Sequence, residues 1–361
     1  LVVVSGDLKT LQTPMDSVTQ AVLGASVTGV MLGRFHGRKA YVAGAVLATL
    51  PDLDVILDYG NPIANMIYHR GFTHSVFVLT LFSLLLTWLF RLWPPTHQYS
   101  KGRLFLTLWL VFMTHVLLDA LTSYGTQLFW PWLPTPASGS SIFIIDPFFT
   151  LPLLIAAIAG LAAGARPRVQ RFNGWVLGYC ALYLALSVVA KNVTEARVRA
   201  EFAESNIEIT DIFSTPAPFN ILLWRVVAKT PDDHYYEVIT GFFDHKPGER
   251  IRLPLNSEPA HSLKDNAMLD GLRWFSGDWL RYDEIDNHLI ASDLRMGLGT
   301  GYYSFRFKVA ERDPATGQWR STAPQSWGSE RGVDALGRVL TRIIQQDPPL
   351  PLASWEARMT R

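Results

Sequence analysis

Four long apolar segments constrain the fold of this chain more than any other feature. They cover residues 75–93, 104–121, 148–165 and 174–190. Each is close to the roughly 20 residues that an α-helix needs to cross the hydrocarbon core of a bilayer. Two weaker apolar segments precede them at 17–33 and 40–50, and the second is short enough for a half-helix, a re-entrant segment or a buried core helix. The pattern predicts an all-α polytopic membrane domain.

Charged residues divide the chain of 361 residues into two parts. Residues 1–190 hold 11 Lys and Arg and 7 Asp and Glu, whereas residues 191–361 hold 21 and 24. The second part alternates strand-like runs, rich in aromatic and β-branched residues, with two amphipathic helical patterns. This predicts a soluble α+β domain with a mainly antiparallel sheet. The net charge of +1 gives no reason to expect a nucleic-acid partner.

The expected organisation is therefore multi-domain. A helical transmembrane domain at 15–194 is followed by the soluble α+β domain at 195–361. Met15 begins a run in which a polar residue can cap a helix, as at a fresh start of the chain. We interpret residues 1–14 as an N-terminal extension, and a short ordered arm is the alternative.

Lys and Arg in the connections between apolar segments predict the orientation in the membrane. Three connections are basic, at 34–39, 91–103 and 166–171. The positive-inside rule makes these three cytoplasmic, provided that 17–33 and 40–50 each cross the membrane or pair as a hairpin. The connections 51–74 and 122–147, and the region after Lys191, are then extracytoplasmic. We expect a multi-pass protein of the bacterial cytoplasmic (inner) membrane.

Residues with the chemistry of metal ligands stand at the ends of apolar segments, on the predicted external side. They come from the motifs PDLD, HRGFTHS and HVLLDALTSYG, as Asp52, Asp54, His69, His74, His115 and Asp119. His115 and Asp119 are four residues apart and share one face of a helix. An ionisable residue inside a membrane span is costly and indicates a function. Imidazole and carboxylate groups suit zinc first, with manganese or iron as alternatives, so we predict a site for one to three divalent ions.

Several neighbouring residues have two possible roles. Arg70 could bind an anionic group of the substrate through two parallel hydrogen bonds, or its guanidinium could snorkel toward lipid headgroups. Asp58 and Asp146 could be further ligands or helix caps. Three hydroxyl groups could donate hydrogen bonds to the ligands, those of Thr73, Ser75 and Tyr124. In the soluble part, Asp293 and Arg295 are expected to form a structural ion pair rather than a substrate contact.

Five motifs, in this order and spacing, resemble those of the YdjM-like inner-membrane proteins. They are MDSVTQAVLG from residue 15, PDLDVI from 51, HRGFTHS from 69, HVLLDALTSYG from 115 and DLRMG from 293. Proteins of that family are described as membrane-bound, metal-dependent hydrolases. The family is distantly similar to the superfamily of zinc-dependent phospholipase C and single-strand nucleases. That superfamily is all-helical and uses a cluster of metal ions to hydrolyse phosphoesters.

The resemblance implies that the same six Asp and His side chains are the metal ligands. It also implies a hydrolase, in which the candidate catalytic residues are Asp54, Arg70 and His74. Some relatives have His at the position of Gln20, so the resemblance implies that one metal position is lost or weaker here.

The favoured function is hydrolysis of a phospholipid or another envelope phosphoester by metal-activated water, with Asp52 or Asp54 bridging ions or acting as general base. The alternative is a membrane scaffold or lipid-binding protein with a structural metal, whose coordination would be closed. A metal-ion transporter is disfavoured because the polar residues cluster at one surface. The expected partners are membrane lipids, and the sequence indicates no particular protein partner for the soluble domain.

Overall fold

The computed structural model describes residues 13–164, 166–263, 266–329 and 333–357. Its first part is helical, as predicted. The helices are α1 (Thr13–His36), α2 (Arg38–Thr49), α3 (Pro62–Tyr68), α4 (Val76–Phe90), α5 (Lys101–Ala120), α6 (Pro147–Ala163) and α7 (Pro167–Glu204). Short 3-10 turns at Pro51–Ile56 and Phe72–His74 stand on either side of α3. The extension predicted at 1–14 lies outside the described residues, except for its last two.

Length and composition decide which helices can cross a membrane. α5, with 20 residues, and α7, with 38, are long and apolar enough. The segment 62–74 and α4, bent by 46° relative to each other, form a third candidate as a pair, and α6 is apolar but only 17 residues long. At ~1.5 Å per residue, α7 is about 57 Å long, which exceeds the ~30 Å of a hydrocarbon core. α7 therefore continues from its apolar segment into the soluble domain.

α1 and α2 pack against each other as an antiparallel hairpin. The predicted topology holds if these two segments form such a hairpin or if each of them crosses the membrane. A Cβ added to Gly24 would lie 2.5 Å from the carbonyl oxygen of Gly44, so this approach depends on glycine. The buried ring of Tyr41 lies between Gly29 of α1 and Gly160 of α6, where an added Cβ would lie 2.3 Å and 2.1 Å from the ring. These contacts fix the positions of α1, α2 and α6 relative to one another.

The three basic connections meet at one end of the helical bundle. Arg38 donates a hydrogen bond to the carbonyl of Ala162 at the end of α6 (2.6 Å), and Arg103 to the carbonyl of Met31 near the end of α1 (3.4 Å). α5 begins beside these connections and ends at Ala120, so the predicted ligands lie at the opposite end. This grouping agrees with the predicted topology, and the side of the membrane on which each end lies stays a prediction.

The second part has two four-stranded antiparallel sheets, which confirms the predicted α+β class. The strands of the first sheet, in spatial order, are β1 (Asp211–Pro216), β2 (Leu223–Thr230), β3 (His234–Gly241) and β4 (Glu249–Pro254). Those of the second are β5 (Leu280–Ile285), β6 (His288–Asp293), β7 (Arg306–Arg312) and β8 (Trp319–Ser326). The described helices here are α8 (Glu258–His261), α9 (Ala267–Ser276), α10 (Val333–Arg342) and α11 (Leu352–Glu356). Asp286 and Asn287 join β5 to β6 with positive φ (49° and 63°), as a two-residue type I′ turn requires.

The soluble domain packs directly on α3. Ile63, Met66 and Ile67 belong to the same hydrophobic core as Leu272 and Phe275 of α9. Each such side chain contributes about 1.5–3 kcal/mol when it is fully buried. α3 ends directly before the motif HRGFTHS, so the soluble domain holds the chain in place next to His69 and His74.

Candidate metal site

Three segments of the chain bring four of the predicted ligands together. We call these four side chains the ligand cluster: Asp52, His74, His115 and Asp119. Asp52 comes from the 3-10 turn after α2, and His74 from the 3-10 turn before α4. The other two lie in the last two turns of α5, on one helix face as their spacing predicts. One ligand atom from each residue lies within 4.8 Å of the others.

The distances within the ligand cluster are close to those between ligands of a single ion. His74 Nε2 lies 3.2 Å from His115 Nε2, 3.4 Å from Asp52 Oδ1 and 3.1 Å from Asp119 Oδ2. His115 Nε2 lies 3.5 Å from Asp52 Oδ1 and 3.3 Å from Asp119 Oδ2. Ligand atoms that bind tetrahedral zinc at ~2.0–2.2 Å are about 3.3–3.6 Å apart. The cluster therefore has the dimensions of a mononuclear site.

Hydrogen bonds within the protein do not satisfy the ligand cluster. Two imidazole nitrogens that face each other share at most one proton, and carboxylate oxygens only accept. Among the residues that the structure describes, Asp52 Oδ2, Asp119 Oδ2 and His115 Nδ1 have no well-aligned hydrogen bond. His74, His115 and Asp119 are fully buried, and the side chain of Asp52 is 16% exposed. Unpaired polar atoms are costly at such depth, whereas a cation would use their lone pairs.

The charge around the ligand cluster also favours a divalent cation. Three carboxylates (Asp52, Asp54 and Asp119) face one guanidinium (Arg70), which leaves a formal charge of −2 if the histidines are neutral. Burial alone raises the pKa of Asp52, but hydrogen bonds with the two cluster imidazoles hold that pKa below its ordinary value. The carboxyl is thus ionised at neutral pH. The residues present fit a divalent metal ion with two imidazole and two carboxylate ligands.

The other two predicted ligands, Asp54 and His69, form a pair beside the ligand cluster. His69 Nδ1 lies 2.8 Å from Asp54 Oδ1, and Asp54 Oδ2 accepts hydrogen bonds from Thr73 Oγ1 (2.5 Å) and the Arg70 amide (3.1 Å). Burial raises the pKa of Asp54, but the contact with His69 more than offsets this and keeps it below its ordinary value. Thr73 Oγ1 also lies 2.9 Å from His74 Nδ1, so Asp54 orients a cluster ligand. Metal binding by Asp54 and His69 stays a prediction.

Asp119 is held by two buried donors that sequence reasoning did not assign to it. Arg70 Nη2 lies 3.2 Å from Asp119 Oδ1, and Gln20 Nε2 donates to the same oxygen at 3.0 Å. These contacts leave Asp119 Oδ2 directed at the two cluster histidines. The resemblance to relatives with His at this position was the signal for Gln20 in the sequence, and here its amide contacts a ligand instead. Arg70 thus orients a ligand, and its predicted contact with substrate stays a prediction.

The residues for which the sequence allowed two roles have clear partners. Asp146 caps α6 by accepting hydrogen bonds from the first amides of that helix, and Asp58 accepts one from the side chain of Asn65 (3.1 Å). Both therefore occur in local caps and turns rather than in the ligand cluster. Arg295 Nη2 lies 2.7 Å from Asp293 Oδ2, with both side chains buried, so the structural ion pair forms as expected.

Tyr124 connects the surroundings of the ligand cluster to the soluble domain. Its ring centroid lies 5.6 Å from that of His69 and 5.2 Å from the guanidinium carbon of Arg70. It also lies 5.5 Å from the ring of Phe275 and 5.4 Å from that of Phe305. One aromatic side chain thus contacts both the ligand region and the core of the soluble domain.

These features define an integral membrane protein with a buried Asp/His cluster at one end of a helical bundle and an α+β domain beyond it. Residues 15–194, the helical part, match the sequence model of the YdjM inner membrane protein family, and the chain belongs to that family. The match includes every residue of the ligand cluster. Family membership and the apolar helices together place the chain in the inner membrane.

Individual relatives cover different shares of the chain. The protein YfhP of Bacillus subtilis (strain 168) is 29% identical over 233 residues, which is 61% of this chain and 67% of YfhP. Inner membrane protein YbcI of Escherichia coli (strain K12) is 37% identical over 91 residues, and inner membrane protein YdjM of the same organism is 35% identical over 99. Each of these two matches covers 25% of this chain, and they span 51% of YbcI and 48% of YdjM. No solved structure matches the chain.

Proposed function

We propose that this protein is an integral-membrane, metal-dependent hydrolase that acts on phospholipids or other phosphoesters of the cell envelope. The observation that carries the proposal is the ligand cluster, in which two imidazoles and two carboxylates converge at 3.1–3.5 Å with no internal hydrogen bonding that satisfies them. Zinc suits this ligand set best, and manganese or iron also bind such ligands. When bound, a divalent ion supplies Lewis acidity and an activated water for attack on a phosphoester.

Residues around the ligand cluster fix the direction of two ligand atoms, one from Asp119 and one from His74. Gln20 and Arg70 both contact Oδ1 of Asp119 and so direct Oδ2 inward. Thr73 contacts Nδ1 of His74 and so directs Nε2 inward. Such partners orient metal ligands, and losing one commonly costs 10–100-fold in affinity or activity.

Asp52 is the proton acceptor in the proposed reaction. It is the cluster ligand whose side chain reaches the surface (16% exposed), whereas His74, His115 and Asp119 are fully buried. Its Oδ2 is itself buried and has no hydrogen-bond partner within the described part of the chain, so this oxygen could take up a proton inside the site. Both oxygens of Asp54 already accept hydrogen bonds, so the geometry favours Asp52 over Asp54 for this role.

The position of the ligand cluster supports an envelope substrate. The cluster lies at the end of the bundle opposite the basic connections, and the positive-inside rule assigns that end to the external side of the inner membrane. The soluble domain lies on the same side in this topology. The accessible substrate would then be a phosphoester in the outer leaflet of the inner membrane or in the extracytoplasmic space.

The second candidate is a scaffold or lipid-binding protein with a structural metal. It is favoured by the full burial of three of the four cluster ligands, which is typical of closed coordination. The exposed edge of Asp52 favours the hydrolase. Both the hydrolase and the scaffold would contain bound metal, but only the hydrolase would turn over a phosphoester.

The test uses purified full-length protein in detergent, with metal content measured alongside hydrolysis of phospholipids and of nucleotide phosphoesters. We expect bound zinc and turnover of a phospholipid. A protein that binds no metal would defeat the proposal, and one that binds metal but hydrolyses none of these esters would favour the scaffold.

A further inference from the structure

The 3-10 turn that carries Asp52 exposes apolar side chains, although it lies outside the candidate membrane spans. Four of them are between 49% and 76% exposed, and we call them the apolar lip: Leu53, Val55, Ile56 and Leu57. On α4, by comparison, Leu81 is 66% and Trp88 is 62% exposed. A contiguous apolar patch is uncommon on a surface that faces water alone, and it indicates contact with another apolar phase.

The turn has two chemically different faces. Asp52 and Asp54 point toward the candidate metal site, and the apolar lip points away from it. Its backbone is internally bonded, since the Leu53 amide donates to Leu50 (3.2 Å) and the Leu57 amide to Asp54 (3.0 Å). A backbone whose polar groups are satisfied can enter an apolar medium. Residues 40–69, which include this turn, contain no Lys or Arg.

The apolar lip lies on a turn beside the start of α4. Its turn is hydrogen-bonded to the 3-10 turn that leads into α4. Phe72, Phe77 and Trp132 are exposed there, and the ring of Phe72 lies 5.1 Å from that of Trp130 and the ring of Phe77 5.1 Å from that of Trp132. Tryptophan rings concentrate at the interface between bilayer and water. The lip therefore lies where the apolar surface of a membrane helix meets the headgroup region.

We propose that the apolar lip inserts into the phospholipid bilayer and holds the candidate metal site at the depth of the lipid headgroups. Interfacial segments of this kind reach about 5–10 Å into the boundary between headgroups and acyl chains. A lipid phosphoester then reaches Asp52 sideways, without leaving the membrane. The insertion is independent of any activity, whereas the sideways entry of substrate rests on the proposed function.

The experiment places an environment-sensitive fluorophore on a single cysteine in proteoliposomes. Ile56→Cys, in a Cys180→Ser background, reports on the lip; Cys180 is buried and is the chain's one cysteine. The matched control is Ile344→Cys in the soluble domain, because Ile344 is 78% exposed and Ile56 is 76% exposed. Lipids brominated in the acyl chain quench a fluorophore in the bilayer, and iodide quenches one in water.

We expect brominated lipid to reduce the fluorescence at position 56 about twofold, as for a shallow interfacial depth, and to leave position 344 unchanged. Iodide should quench position 344 and not position 56. Iodide quenching at both positions would overturn the insertion. Position 56 shielded from both quenchers would also overturn it, because protein, such as a second copy of this chain, would then cover the lip.

A second measurement separates insertion from activity. The double variant Leu53→Ser, Ile56→Ser should keep the metal content of the wild type but lose about tenfold in hydrolysis of bilayer phospholipid, as the lip no longer enters the interface. Hydrolysis of a water-soluble short-chain phosphodiester should be unchanged. Equal loss on both substrates would contradict sideways entry. If the wild type hydrolyses neither ester, the proposed function fails, and the quenching result still decides the insertion.

Discussion

The Nε2 atoms of His74 and His115 face each other across 3.2 Å, although 41 residues separate the two histidines in sequence. Both rings are fully buried, and each Nε2 also lies within 3.5 Å of carboxylate oxygens from Asp52 and Asp119. Two ring nitrogens in this arrangement need a shared proton or a shared cation. A divalent ion would satisfy both rings and both carboxylates at once.

His115→Ala should remove bound metal and abolish hydrolysis of a lipid-like phosphodiester, while the protein stays inserted in the membrane. The variant loses one of four ligands and leaves the carboxylate of Asp119 poorly compensated. Metal analysis of the purified protein measures the first effect. The control is His97→Ala, an exposed histidine at the other end of the bundle that bonds the carbonyl of Arg91. Full metal content in His115→Ala would contradict the assignment.

Gln20→Leu should weaken zinc binding about 10–100-fold, the usual effect of losing a partner that orients a ligand. The variant removes the donor to Asp119 Oδ1 and keeps an apolar side chain of similar size. Competition with a chelator of known affinity gives the dissociation constant. Gln170→Leu is the matched control, because the side-chain amide of Gln170 donates to the carbonyl of Gly29, toward the other end of the bundle from the ligand cluster. Equal affinity of both variants would rule out the orienting role.

Arg70→Lys should lower zinc affinity and kcat together. Arg70 contacts Asp119 with one guanidinium nitrogen and Thr122 with the other, and a single ammonium cannot keep both contacts with the same geometry. Steady-state kinetics combined with metal titration measures the two effects. A raised KM with unchanged zinc affinity would instead support the direct substrate contact that the sequence predicted.

Tyr124→Ala should destabilise the protein by about 3 kcal/mol, as expected for truncating a large aromatic side chain. Its ring contacts Phe275 and Phe305 on one side and His69 on the other, so zinc affinity should fall as well. Tyr124→Phe should cost only about 1 kcal/mol, because it removes a single hydrogen bond to the carbonyl of Met66. Thermal unfolding in detergent ranks the variants. If Tyr124→Ala unfolds like wild type, the soluble domain does not support the site through this residue.

Single cysteines should show that the soluble domain is extracytoplasmic. In cells with a permeabilised outer membrane, a cysteine at Ile344 should react with a membrane-impermeant thiol reagent, and one at Lys101 should not. Both positions are exposed, so reactivity reports the side of the membrane. The reverse labelling pattern would mean that the orientation is inverted.

Much of the architecture follows from local sequence patterns. The length of the apolar segments predicts the membrane helices, and runs rich in aromatic and β-branched residues predict the strands. His115 and Asp119 share a helix face because they are four residues apart. Asp293 and Arg295 pair because they are close neighbours at the end of a strand. In each case the interacting groups are near in sequence, so the geometry of a single helix or strand is sufficient to predict the contact.

Tertiary packing decided which polar residues meet. Gln20 reaches Asp119, 99 residues away, only because α1 lies against α5, where Arg103 of α5 also donates a hydrogen bond to the carbonyl of Met31 in α1. Periodicity fixes the face of a helix on which a residue lies but not the helix that packs against that face. The sequence therefore determined the candidate ligands and the helices that carry them. The packing of those helices decided that four ligands converge, that Asp54 and His69 pair beside them, and that Arg70 lies behind a ligand.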